Sequence, residues 1–299
     1  MAEAEQNPVV GIVGLGLVGA AIGSRLRAAG WSTVGFDLRS EALEAFRAAG
    51  GACAASLHEV GQRAGCVVLA VFDTNDVIQA LETEAGLLAP GHHVHTVIDC
   101  STGSPEMLEP LAARLKARGV AFIEAPLSGS SQQIAAGEAT LLIGGEADAI
   151  ERCADLLQAV ASRRIHVGPA GMGAKAKLAT NLVLRLNRAV LAEGMVFAQA
   201  LGIAPERFLD LVLATPARSA AAQSKGDMMV RGDFTPQSRI RQHLKDVDLM
   251  LQSAQAAGLP LPFSETHAQL MRAAVAAGDG DLDNAAIIRQ LRRGGGLQD

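Results

Sequence analysis

The sequence predicts a chain in two parts, a mostly parallel α/β sheet domain followed by an all-α domain, and three observations predict it. From residue 8 to about 168, short β-branched runs alternate with alanine-rich stretches of helical period, the pattern of parallel strands wrapped by crossover helices. After GPAGMG, at residues 168 to 173, strand-like runs almost vanish and helical periodicity continues to the end. Between these regimes, Ala174 to Leu201 contains no proline and only Gly194 as a glycine, which predicts one joining helix of roughly 40 Å. The domains are set accordingly at 1-168 and 169-299.

The expected strands of the first domain are VVGIVG, STVGFD, CVVLAVF, HTVIDC and GVAFIEA, with a further pair, ATLLIGG and RRIHVG, bracketing a helix that ends near Ser162. Helices are expected at Val18 to Ala29, Glu41 to Ala49, Asp76 to Glu82 and Glu106 to Arg118, each closing at a glycine or small polar cluster. The long joining helix is apolar on most faces yet carries Lys177, Arg185, Arg188 and Glu193. These charges exclude a lipid-facing span and predict burial between domains or subunits, so a homodimer or homotetramer is expected. Further helices follow, split by Pro205, Pro216, Pro236 and the Pro260 to Pro262 turn.

Composition narrows the chemistry. At 299 residues and 49 % hydrophobic content the chain can close a real core. A formal net charge of -5 supplies no basic field for nucleic acid or anionic lipid, leaving small molecules and protein subunits as the expected partners. The chain has no tyrosine, which excludes mechanisms that use one as proton donor. Cys53, Cys66, Cys100 and Cys153 lack the C-x-x-C spacing of a zinc or redox site, so neither metal nor disulfide is expected and a reducing cytoplasm fits. No uninterrupted apolar segment reaches the ~18 residues of a membrane span, and the first residues, MAEAEQNP, do not read as an export signal.

Two constellations carry chemistry. GIVGLGLVG sets Gly14, Gly16 and Gly19 as G-x-G-x-x-G directly after an expected strand and at the start of an expected helix, the Rossmann-type turn for a dinucleotide pyrophosphate. Asp37 ends the second strand, where a carboxylate accepts hydrogen bonds from an adenosine ribose. That favours NAD over NADP, with Arg39 two residues later as a partial counterweight. Hydride chemistry on an alcohol or carbonyl also needs a proton-transfer group. The seven histidines, at 58, 92, 93, 95, 166, 243 and 267, show neither carboxylate partner nor ligand spacing and read as surface or core residues. Lys177, one turn into the long helix in GMGAKAKLATN, would lose solvation in a closed site, and desolvation lowers a lysine pKa toward the range of an acid-base catalyst. Asn181 lies at i+4 on the same face, while Lys175 points elsewhere toward solvent.

Four segments together resemble the β-hydroxyacid dehydrogenase family, the relatives of 3-hydroxyisobutyrate dehydrogenase, tartronate semialdehyde reductase and the glyoxylate and succinic semialdehyde reductases. GIVGLGLVG has Val18 where the family usually has methionine, and the likeness implies dinucleotide contacts at Gly14, Leu15, Gly16, Val18 and Gly19. VIDCSTGSPE is similar to a strand ending in Asp-x-Ser-Thr and implies cofactor contact by Thr102. EAPLSGSSQQIAAGEATLLIGG implies a substrate-carboxylate loop at Ser128, Gly129 and Ser130. GPAGMGAKAKLATN matches a G-x-G-x-x-x-K signature through Gly171, Gly173 and Lys177, which implies that Lys177 is catalytic. Two asparagines commonly follow that lysine; here Thr180 takes the first place and Asn181 remains to orient substrate. HLKDVDLML implies that Lys245 approaches the cofactor.

The expected reaction is reversible hydride transfer between NAD or NADP and a small 3-hydroxy acid or its semialdehyde, at a site between the two domains, with Lys177 moving the proton. Two alternatives stand beside it: an imine reductase-like NADPH enzyme, which lacks the lysine in this form, and a non-catalytic dinucleotide-binding module. A 6-phosphogluconate dehydrogenase would need a much larger helical domain. Arg239 and Arg241 offer a second anion contact or, more simply, a solvated basic surface.

Overall fold

The computed structural model of the chain describes residues 8–296. They form two compact units, the first running through Lys177 and the second starting at Leu178.

The first unit is built on one nine-stranded sheet. β1 (Val10–Val13), α1 (Leu17–Ala28), β2 (Thr33–Phe36), α2 (Ser40–Ala48) and β3 (Ala52–Cys53) make one half; α3 (Leu57–Arg63) crosses over to β4 (Cys66–Leu69). α4 (Thr74–Glu82), β5 (Thr96–Asp99), α5 (Pro105–Ala117) and β6 (Ala121–Glu124) extend the other half. The strand order β3-β2-β1-β4-β5-β6 is parallel throughout, so the direction of winding reverses at β1, the place where open α/β sheets bind ligands. β7 (Leu127–Ser128), α6 (Ser131–Ala136), β8 (Thr140–Gly144), α7 (Ala147–Arg152), α8 (Ala154–Val160) and β9 (Arg163–Gly168) complete the unit. β8 runs antiparallel to β6 and β7 and parallel to β9.

Successive strand residues point to opposite faces, and both faces are covered. Ile12, Val68, Ile98 and Ile123 enter one core with Ile22 and Leu26 of α1. Val13, Val67, Leu69, Val97 and Phe122 enter the other with Leu108, Leu111 and Leu115 of α5. Every expected strand forms. The sequence reading missed β3 and β7, two residues each, and the short helices α3 and α6, because segments this brief carry no measurable period.

α9 (Met172–Ala200) is the 29-residue helix expected from the sequence. Its first turns belong with the sheet: Ala174 packs in the second core of the first unit. Within one chain α9 is not covered on every face. Val183, Val190 and Phe197, at seven-residue spacing, are 57 %, 59 % and 64 % exposed. The second unit continues with α10 (Pro205–Ala214), α11 (Ala220–Arg231), α12 (Ile240–Ala256), α13 (Pro262–Ala276), a short 3-10 turn (Asn284–Ala286) and α14 (Ile287–Gly294). Leu191, Met195, Leu209, Met229, Val247, Met271 and Ile288 form its core. Among the described residues no helix is long and apolar enough to cross a membrane.

Candidate active site

The glycine-rich turn leaves β1 and opens α1 at the reversal point of the sheet. Gly14 has φ +85°, a left-handed conformation that L side chains rarely adopt, and a Cβ there would overlap the Ala70 carbonyl oxygen. A Cβ on Gly19 would overlap the Gly14 carbonyl oxygen, so these two glycines serve the close approach of helix, turn and β4. Gly16 differs. The nearest atom to a Cβ there is an Arg39 guanidinium nitrogen at 3.7 Å, which leaves an open face over the turn. Gly16 is also the N-cap of α1, with no side-chain cap and no acid in the first turn. A positive helix end and a missing side chain fit a dinucleotide pyrophosphate.

Asp37, at the end of β2, is tied to this turn. Its Oδ2 accepts the Leu15 N–H at 2.7 Å, and Arg39 donates its N–H and its guanidinium to the carboxylate at 2.9–3.0 Å. Burial would raise the Asp37 carboxyl, but the Arg39 guanidinium and the two amides outweigh it and hold the group below the usual carboxylate range. The neighbouring loops are laced to the same sheet edge. The Val71 N–H donates to Ser101 Oγ at 3.1 Å, Ser101 N–H to Asp99 at 2.9 Å and Ser104 N–H to Thr74 Oγ1 at 2.8 Å. Thr102 thus sits in a loop braced on both sides beside the carboxyl ends of β4 and β5.

Lys177 is buried, and its Nζ donates to the Leu127 carbonyl at 2.5 Å. Leu127 opens β7, so the amine is anchored on the residue that directly precedes Ser128, Gly129 and Ser130. Ser130 already has local work. Its Oγ accepts the Gln133 N–H at 3.3 Å while Gln133 Oε1 accepts the Ser130 N–H at 2.8 Å, a capping box at the start of α6. Lys175 faces away and pairs with Glu109 at 2.6 Å, half exposed.

Asn181 and Lys245 belong to the second unit. Asn181 is buried one turn beyond Lys177 on α9, and Lys245 pairs with Asp246 at 2.9 Å. Arg241 pairs with Asp281 on the surface at 3.3 Å. Among the described residues no three His, Cys, Asp or Glu side chains gather as metal ligands.

Sequence reasoning missed Glu124. It ends β6, is buried, and its Oε2 accepts the Gly171 N–H at 2.5 Å. Burial pushes its carboxyl up to about 7, with the Gly171 amide pulling down and Asp99 pushing further up. The available signal was an acid closing an otherwise apolar strand run, AFIE.

The family model described as "NAD binding domain of 6-phosphogluconate dehydrogenase" matches residues 9–168. A second, "NAD-binding of NADP-dependent 3-hydroxyisobutyrate dehydrogenase", matches residues 171–291. The chain is 31 % identical over 284 residues to L-threonate dehydrogenase of Cupriavidus necator, covering 94 % of this chain and 95 % of that one. The crystal structure of 3-hydroxyisobutyrate dehydrogenase from Salmonella typhimurium superposes with TM-score 0.85 at 32 % identity, covering 95 % of this chain and 99 % of the other. The structure of Mycobacterium tuberculosis 3-hydroxyisobutyrate dehydrogenase with L-serine gives a TM-score of 0.83 at 27 % identity, covering 96 % of this chain and 99 % of the other. The Rossmann-type sheet and its glycine turn define an oxidoreductase that uses NAD or NADP. Within that class the chain belongs to the β-hydroxyacid dehydrogenase family.

Proposed function

We propose that this dehydrogenase transfers a hydride reversibly between NAD(P) and a small acid bearing a hydroxyl one carbon beyond the α position, or the matching semialdehyde, with Lys177 as general acid and base. The observation that carries the reading is the buried Lys177 amine anchored 2.5 Å from the Leu127 carbonyl, at the head of the Ser128-Gly129-Ser130 loop. In oxidation the neutral amine takes the hydroxyl proton as the carbinol hydride leaves; in reduction the ammonium returns that proton to the developing alkoxide. The bound nicotinamide supplies the hydride acceptor or donor. Ser128, Gly129 and Ser130 hold the substrate carboxylate through backbone amides and hydroxyls, and Ser130 exchanges its capping bonds with Gln133 to do so. Asn181, on the lysine's side of α9, orients the substrate hydroxyl. Lys245 and Thr102 contact the dinucleotide, and Gly14, Leu15, Gly16, Val18 and Gly19 line it.

Asp37 favours NAD, because the 2′-phosphate of NADP would meet its carboxylate. The relatives, named for L-threonate and 3-hydroxyisobutyrate, support an acid of that size over an imine. The exposed stripe of Val183, Val190 and Phe197 supports self-association into a homodimer or homotetramer, and four free thiols suit a reducing, cytoplasmic setting. The test is reduction of NAD and of NADP at 340 nm with L-threonate, 3-hydroxyisobutyrate and, in reverse, tartronate semialdehyde. Turnover of at least one, faster with NAD, is expected. No turnover of any, despite dinucleotide binding, overturns the reading in favour of a silent binding module.

A further inference from the structure

The run from Glu124 to Ser130 touches α9 twice. Glu124 Oε2 takes the Gly171 N–H at 2.5 Å just before the helix begins, and the Leu127 carbonyl takes the Lys177 ammonium at 2.5 Å. The residues between the two anchor points on α9 span about one and a half turns. The first contact accounts for glycines of the GPAGMGAK segment. Gly171 has φ +91°, which turns its N–H toward the strand end. A Cβ on Gly173 would stand 2.9 Å from Glu124 Cβ, and one on Gly144 would stand 2.6 Å from Glu124 Oε2. The backbone is therefore stripped of side chains on two sides so that one buried carboxyl reaches the start of the helix. The Gly173 and Ala174 amides also lower its pKa, as expected for an acid at the positive end of a 29-residue helix.

We infer that Glu124 is a positioning residue for Lys177: by pinning Gly171 it fixes the start of α9, so that the amine and the Ser128-Gly129-Ser130 loop keep one register. The inference rests on the proposed catalytic role of Lys177. A carboxyl at this point does what a surface cap cannot, since an unpaired oxygen here is shut off from water and the bond to Gly171 is short. The groups that face Glu124 are few. Asp99 at the end of β5 raises its pKa by like charge, and Lys175 on α9, itself paired with Glu109 of α5, feels it as a counter-charge. The hydrogen-bond partners of Glu124 are the Gly171, Gly173 and Ala174 amides, none of them an expected dinucleotide contact, so its loss should move proton transfer and leave nucleotide affinity alone.

Three variants test this in the full chain. Glu124→Ala removes the acceptor, Glu124→Asp withdraws it by one methylene, and Glu124→Gln keeps an oxygen for the Gly171 N–H. With whichever hydroxy acid the wild type turns over, E124A and E124D should lose at least tenfold in kcat with the cofactor KM within twofold, and E124Q should stay within threefold of wild type. In parallel, competitive acetylation by acetic anhydride, read by mass spectrometry with Lys116 as the exposed internal standard, should find Lys177 protected in wild type and E124Q but reactive in E124D. That arm needs no turnover, so it decides the inference even if every substrate in the panel fails. The melting temperature gives a third reading. A carboxyl raised to about 7 in the fold and near 4.5 unfolded contributes stability below pH 4.5 that is lost as pH rises through 7, and E124Q should erase that slope. Unchanged kcat and unchanged Lys177 protection in E124D, equal losses in E124Q and E124D, or a parallel rise in cofactor KM would each overturn the assignment.

Discussion

The two units bury charge in opposite ways. In the first, Lys177 and Glu124 are met by main-chain groups, the Leu127 carbonyl and the Gly171 amide. In the second, buried charges are met chiefly by other side chains. Asp283, fully buried, accepts Lys225 at 2.9 Å together with the Gln237, Ser238 and Ala285 amides. Arg185 of α9 pairs with Asp246 of α12 and donates to the His243 carbonyl, while Arg188 lies against the His243 ring. A main-chain partner holds a side chain without neutralising it. A side-chain partner cancels the charge and locks two helices together.

Lys177→Ala should break the first half of that contrast most visibly. Loss of a general acid-base group costs roughly 100- to 10,000-fold in kcat, with the melting temperature little changed; a K177A enzyme retaining full turnover on its best substrate would refute the mechanism. Asp283→Ala tests the second half. Removing one partner of a buried pair strands the other, at about 3 to 5 kcal/mol, read from denaturant unfolding followed by helical circular dichroism, and a loss below about 1 kcal/mol would mean the pair does not hold α11 in place.

Protonation sharpens the comparison further. His267 is buried, and burial, followed by the charges of Arg185 and Arg188, pushes its imidazole down to about 4. A base whose folded pKa lies below its unfolded value of 6.5 leaves the fold with fewer protons, so stability falls as pH drops from 6.5 through 4. His267→Gln should remove this acid sensitivity, worth roughly 3 kcal/mol at its limit; an unchanged pH-melting curve would show the imidazole is not the titrating group. The smallest effect is expected at the surface. Glu82 and Arg114 form a two-point pair at 2.8–2.9 Å in the open, and E82Q should cost less than about 1 kcal/mol.

Much of the site was legible in the sequence because its pieces are local. The glycine turn, Asp37 and the seven-residue stretch from Gly171 to Lys177 depend on spacing along one element, and spacing is what a sequence displays. Glu124 was not legible, since its partner Gly171 lies 47 positions away, and nothing in AFIEAP says where the strand end is aimed. The capping box that engages Ser130 was overlooked for another reason: α6 is six residues long and carries no period. Which face of α9 stays open within the chain was not legible, because apolar content states how much surface seeks cover, not whether the same chain supplies it.

The order of strands and helices, the dinucleotide turn at Gly14 to Gly19 and the single long helix bearing Lys177 follow from the sequence by itself, because each is a matter of period, punctuation and residue type over a short stretch. Tertiary structure alone decided that the Asp37 carboxylate takes the Leu15 amide, that Leu127 receives the lysine and that Glu124 takes the Gly171 amide before the helix start. Those contacts depend on the register between elements distant in the chain, and register is fixed only when both faces of the sheet close their cores.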